Sequence, residues 1–272
     1  MVSASVNMFP ELNSVLDIKT SDSIIGKSVG ISESDVDGTF LIHHFLSYFL
    51  RNDHPVCFVT LVQSFNHFNT VSKKFGLDLA AKRNTGQLAF IEGLKSLGEF
   101  YTLDDKYDNM ARGDNPFVEK GTSKHALAPL YSYIENICNG FTKDRSKPPV
   151  VIIDDISVLL STGYSLKNSI SLIQYLQSYI SKLEGTLVLH INKGKGSCDE
   201  DAVSVWKHMC HFFPLQIEVC GLSSGYCRDV HGELNITQDN SLHKHQVKKA
   251  MQYKLTDKTI SLFAAGMSAA VL

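Results

Sequence analysis

The run Val150-Val151-Ile152-Ile153-Asp154-Asp155, entered through Pro148-Pro149, constrains the fold more than any other stretch of the sequence. It is a run of β-forming residues ending in paired carboxylates, which is the pattern of a Walker-B strand at the centre of a nucleotide-binding α/β sheet. A Walker-B carboxylate orders Mg²⁺ on a triphosphate. The triphosphate itself is held by a Gly-x-x-x-x-Gly-Lys-Ser/Thr loop, whose amides and lysine neutralise the phosphates. No window of this chain fits that loop.

The rest of the sequence supplies the alternation that such a strand requires. Lys27–Ser32 reads as a first strand, followed by the acidic turn Glu33-Ser34-Asp35-Val36-Asp37-Gly38 and a helix over about 39–51 with Leu41, Ile42, Phe45, Leu46 and Phe49 at helical spacing. Asp37 is placed to cap that helix. Val56–Val62 and Leu88–Glu92 read as further strands, with a helix through Phe68, Val71 and Phe75 between them. Helices over about 124–139 and 166–183 precede and follow the Walker-B-like strand, and Thr186–Ile191 is strand five. The expected architecture is therefore α/β, with a mainly parallel sheet and helices on both faces. After Ile191 the pattern changes. Asn192–Asp201 reads as a loop, and Phe212–Val219, Gly225–Thr237 and Met251–Phe263 read as strands of antiparallel hairpins closing one sheet edge, with turn signals at Gly221, His231-Gly232 and Thr256-Asp257-Lys258. Residues 98–123 lack apolar periodicity and are expected to form an exposed insertion in a single domain spanning 1–272.

Composition excludes several classes of function. With 43% hydrophobic and 20% charged residues the chain is an ordinary globular one, and a net charge of −2 provides no global field to attract nucleic acid or an anionic membrane. No apolar run approaches the ~18 residues of a membrane span, and Met1–Pro10 lacks the features of a leader, so a cytoplasmic or nuclear location is expected. The six cysteines, Cys57, Cys138, Cys198, Cys210, Cys220 and Cys227, are scattered without a Cys-x-x-Cys pair and are read as reduced thiols.

The turn after the first strand is where a phosphate loop would lie. Gly38 stands in the place of its second glycine, but Glu33 stands at the first, Thr39 at the lysine and Phe40 at the hydroxyl position. Glu33, Asp35 and Asp37 would also repel a triphosphate, so the turn is disabled as an ATP site. Gly26-Lys27-Ser28 and Gly194-Lys195-Gly196 are decoys, because Ser21 and Leu189 hold their first-glycine positions. Asp154 and Asp155 have two readings. They either hold a metal on a nucleotide at the end of a central strand, or cap the following turn and bond nearby amides. Without a lysine loop the second reading is favoured. No nucleophile elbow is present, His43 is expected to face solvent with His44 toward the core, and His208-x-x-His211 and His243-x-His245 lack a third ligand. Neither a metal nor a cofactor is expected.

Several segments carry a resemblance. Gly221-Leu222-Ser223-Ser224-Gly225-Tyr226-Cys227-Arg228-Asp229-Val230-His231-Gly232, the closing Tyr253-Lys254, Asp257-Lys258, Phe263 and Gly266–Leu272, together with Asp37–Leu46, Gln63-Ser64-Phe65 and Ile91–Ser96, resemble subunit 6 of the Elongator complex. The likeness runs from about Phe9 to the C-terminus. It implies a RecA-like fold without intact Walker motifs, assembled with Elongator subunits 4 and 5 into a heterohexameric ring. That ring supports modification of the wobble uridine of certain tRNAs, and the chemistry belongs to another subunit. The resemblance thus implies a structural, tRNA-handling component and no enzyme. A working ATPase completed by a neighbouring subunit, or an adaptor that never touches RNA, are the alternatives. From loop position and charge, Asn192-Lys193-Gly194-Lys195-Gly196-Ser197, following strand five of a RecA-like order, is a candidate pore loop, with Lys193 and Lys195 as candidate tRNA contacts. The apolar tail Gly266–Leu272 is expected to dock on the domain's own edge or on a neighbouring subunit.

Overall fold

The structure is a computed structural model that describes residues 9–18, 23–102, 115–117, 126–144, 146–222, 225, 227–240 and 245–264. A short helix α1 (Pro10–Val15) precedes the first strand β1 (Ser28–Ser34), which turns into α2 (Thr39–Arg51) and β2 (Val56–Thr60). Then come α3 (Phe65–Lys74), α4 (Leu79–Asn84), β3 (Leu88–Glu92) and α5 (Gly93–Thr102). The Walker-B-like run forms β4 (Val150–Asp154), entered from α6 (Ala128–Asp144) and followed by α7 (Ser157–Ser161) and α8 (Leu166–Lys182). After β5 (Thr186–Asn192) the chain makes a single 3₁₀ turn, Lys195–Ser197, and then α9 (Glu200–Phe212), β6 (Leu215–Cys220), β7 (Gly232–Asn240), β8 (His245–Leu255) and β9 (Ile260–Ala264).

The strands form one sheet in the order β3-β2-β4-β5-β1-β6-β7-β8-β9. The pairings from β3 to β6 are parallel and those from β6 to β9 antiparallel, so the C-terminal hairpins extend one edge as the turn chemistry predicts. β4 is buried along its whole length because helices cover both faces of the sheet. Val150 and Ile152 point into one core with Leu41, Phe45 and Phe49 of α2. Val151 and Ile153 point into the other, with Ile134 of α6, Leu176 of α8 and Trp206 of α9. The two-residue period of a strand therefore places Asp154, two residues beyond Ile152, on the α2 side.

Three expectations are corrected. Residues 202–211, which follow an expected loop and carry no expected element, form most of α9, whose Ala202, Val205, Trp206 and Met209 pack at helical spacing. Met251–Phe263 is not one strand but a hairpin, reversed at the turn that Thr256-Asp257-Lys258 signalled. Of the expected insertion, 98–102 complete α5, and Phe117 is buried with Asn115 donating to the Ser96 carbonyl at 2.8 Å, while 103–114 and 118–123 lie outside the described residues. The tail Gly266–Leu272 and His243 also lie outside them. All six cysteines are free thiols. No helix among the described residues is long and apolar enough to cross a membrane.

Candidate functional site

In an open α/β sheet, ligands bind beyond the C-terminal ends of the parallel strands, beside the point where strand order reverses. Here that place lies at the ends of β1, β5 and β4, under the N-terminus of α2. Glu33, His190 and Asp154 continue the rows Ile31, Val188 and Ile152 on the α2 face of these strands, and all three side chains are buried.

These groups form one polar chain. His190 Nδ1 lies 2.6 Å from Asp154 Oδ1, and His190 Nε2 lies 3.2 Å from Glu33 Oε2, the latter an ion-pair contact outside hydrogen-bond geometry. Burial is the largest influence on the His190 ring and disfavours its charge. The contacts with Asp154 and Glu33 and the field of Asp155 outweigh it, and together hold the pKa well above the ordinary histidine value. The ring is therefore an imidazolium between two carboxylates. Asp155, on the next turn, accepts from Ser157 N at 2.8 Å, from Ser157 Oγ at 2.7 Å and from Asn192 N at 3.1 Å. Burial raises its pKa against the opposing effect of His190 and Ser157.

The turn from β1 to α2 has used up its own phosphate-binding groups. The backbone amide of Gly38 donates to Glu33 Oε2 at 2.5 Å and that of Thr39 donates to Asp37 Oδ1 at 2.7 Å. Two amides at the head of a helix, which in a phosphate loop would meet an anion, are thus satisfied by carboxylates of the same chain. Gly38 is needed for this close approach, since a Cβ there would lie 3.2 Å from Glu33 Oε2 and 3.1 Å from Val219 Cγ2.

Gly38 and Thr39 lie at the head of α2 and Asp154 and Asp155 at the end of β4, and Glu33, His190 and Asn192 link the two. Two of these linking residues escape the motif pattern. Glu33 was read as a repulsive charge and is instead a ligand of the helix head. His190 was not singled out, although a lone histidine in the otherwise apolar run Thr186–Ile191 was the available signal. The candidate loop cations separate. Lys195 is exposed, but Lys193 is only 5% exposed, with Nζ 2.7 Å from Glu218 Oε2 and 5.6 Å from the centre of the Trp206 ring, so its amine faces the α9 side of the sheet. Lys193 is thus not an outward-reaching cation. His43 is likewise buried, not solvent-facing. Burial, with the nearby His67, lowers it to about 4, and burial alone lowers His44 to about 3. His208 contacts Gln174 at 3.2 Å and packs on Phe212. Among the described residues no group of three or more His, Cys, Asp or Glu side chains is placed to hold a metal.

Comparison with known proteins extends this picture. Over 89% of its length the chain superposes on 95% of a KaiC-like protein from Pyrococcus horikoshii with a TM-score of 0.56 at 12% identity, a likeness that shows the RecA-like fold alone. Residues 9–257 match the profile of the family described as Elongation complex protein 6. The Elongator complex protein 6 of Xenopus laevis is 39% identical, that of Mus musculus 37% and that of Homo sapiens 34%, each alignment covering 97% of this chain and 100% of the relative. The chain belongs to the Elongator complex protein 6 family.

Proposed function

We propose that this chain is a non-catalytic subunit of Elongator that joins subunits 4 and 5 in a heterohexameric RecA-like ring, and that the ring supports wobble-uridine modification by binding and handling tRNA. The observation that carries the non-catalytic reading is the occupation of the nucleotide cradle by the chain's own ions. Glu33 takes the Gly38 amide, and His190 joins Glu33 to the Walker-B-like Asp154. A triphosphate entering this site would have to displace a buried carboxylate and would meet Asp35 and Asp37 at its rim, with neither lysine nor hydroxyl at the loop positions that need them. Family membership and the ring-forming habit of RecA-like domains support the assembly, in which one face of each subunit meets a different face of the next. A cytoplasmic or nuclear location accords with this role.

The enzymatic part of the reading is tested by ATP turnover of the purified chain. Hydrolysis at background level is expected, and turnover that Asp154→Ala abolishes would overturn it. The tRNA part is tested on the assembled ring. With Lys195→Glu, affinity should fall and the slope of log K against log salt should drop by about one, as for the loss of one phosphate contact. Unchanged affinity and slope would remove Lys195 from the RNA path.

A further inference from the structure

The acidic turn does more than block a phosphate. Asn192 closes β5, and its side-chain Nδ2 donates to Glu33 Oε1 at 2.7 Å, while its own Oδ1 accepts from Gly194 N at 2.7 Å. Lys193 N donates to the Glu33 carbonyl at 2.9 Å, Asn192 N donates to Asp155 Oδ1 at 3.1 Å, and Gly196 N donates to Asp35 Oδ1 at 3.0 Å. Four hydrogen bonds from Asn192, Lys193 and Gly196 therefore tie the 192–196 segment to Glu33, Asp35 and Asp155 at the ends of β1 and β4, three of them to carboxylates and one to the Glu33 carbonyl. Asp35 adopts a positive φ of 65°, a conformation seldom used outside glycine, and in it the carboxylate meets the Gly196 amide. Glu33 is the hub, since one carboxylate serves the α2 head through Oε2 and the loop through Oε1.

The phosphates of a nucleotide in an ATPase of this general design do the same work together, receiving helix-head amides and a cation while ordering a neighbouring loop. We infer that Glu33 is an internal stand-in for a nucleotide phosphate. Its carboxylate occupies the anion position at the head of α2 and clamps the loop after β5 to the ends of β1 and β4, so that the chain itself holds this loop in one conformation. The inference rests on the reading of an unused nucleotide cradle, but not on the ring or on tRNA. It assigns Glu33 and Asn192 as positioning residues for whatever the exposed Lys195 contacts.

Amide hydrogen exchange of the full chain tests it. In the wild type, Lys193, Gly194 and Gly196 should exchange slowly, with no change on adding ATP–Mg²⁺. Glu33→Ala should speed exchange at these amides about tenfold or more while β2 and β3 stay protected, and added formate, which replaces the missing carboxylate, should restore protection. Asn192→Ala cuts the tie while leaving the buried carboxylate in place, which keeps the test decisive should Glu33→Ala unfold. It should speed exchange at Lys193 and Gly196, whose own acceptors, the Glu33 carbonyl and Asp35 Oδ1, it leaves in place, whereas Gly194 loses its acceptor directly and does not bear on the clamp. Formate should have no effect because Glu33 still fills the anion position. Lys193 and Gly196 as protected in Asn192→Ala as in the wild type would overturn the inference, and so would formate that fails to restore protection in folded Glu33→Ala. ATP-dependent protection in the wild type would instead overturn the underlying reading of an unused cradle.

Discussion

His190 is the residue on which the site turns. Asp154 and Glu33 are buried at the ends of different strands, and the ring between them offsets the burial of both, with the Gly38 amide and Asn192 Nδ2 adding to it at Glu33. His190→Gln should therefore lower stability at neutral pH by about 3–5 kcal/mol, the range for removing one partner of a buried ion pair, as read from the urea midpoint. The sign of the pH dependence follows from the raised pKa. The contribution of His190 is fully present below the ordinary histidine range and is lost only as pH rises through its own elevated value. His43 and His44 act in the opposite sense. They are lowered to about 4 and about 3, so the unfolded chain binds more protons below pH ~6.5, and stability should fall as pH drops from there toward 4. Urea titrations at pH 7 and pH 5 check this, and the double variant His43→Gln/His44→Gln should show a shallower acid dependence than the wild type. At this scale the sequence was only half legible. A carboxylate in a phosphate loop is visible as the loss of a function. That it points inward to a histidine some 160 positions away depends on strand order, which single residues do not display.

Among the elements, the turn from β1 into α2 and the packing of α9 are the sensitive places. Gly38→Ala would set a methyl 3.1 Å from Val219 Cγ2 and 3.2 Å from Glu33 Oε2. It should cost about 1–3 kcal/mol through overpacking and push Glu33 off the helix amide, which thermal melts and the same exchange measurement would register. Gly30 lets α9 approach β1 closely, since a Cβ there would lie 3.0 Å from the Trp206 ring and 3.3 Å from Met209 Cε. Gly30→Val should lower the melting temperature by several degrees, consistent with a core clash of ~1–3 kcal/mol in a domain of this size. The parallel strands were legible because a buried strand needs an unbroken apolar run, and β2, β3, β4 and β5 each begin where such a run begins. α9 was missed although its signals were present. Asp199 caps the helix by accepting from Ala202 N, Glu200 and Asp201 fill the first turn, and Ala202, Val205, Trp206 and Met209 form its stripe. The charged and histidine-rich residues between those four concealed the period.

At the scale of the whole molecule, two cores on opposite faces of one sheet support a site whose helix-head amides are taken by carboxylates of the chain itself. Residues of both faces converge at the C-terminal ends of the strands. Glu33, Asp154 and His190 lie on the α2 side, and Lys193 with Glu218 lies on the α9 side. The ordinary place for ATP thus becomes a junction of internal ion pairs from which the Lys195 loop departs. A mainly parallel α/β sheet was readable from the alternation of elements, its RecA-like form was implied by the family resemblance, and the absence of a phosphate loop was readable from one turn. The way in which the vacated chemistry was replaced required the fold. The most direct test of this account is calorimetric titration of ATP–Mg²⁺ into the purified full-length chain at neutral pH. No saturable heat is predicted for the wild type, and a stoichiometric isotherm weakened by Asp154→Ala would contradict the claim that Glu33 and His190 fill the cradle.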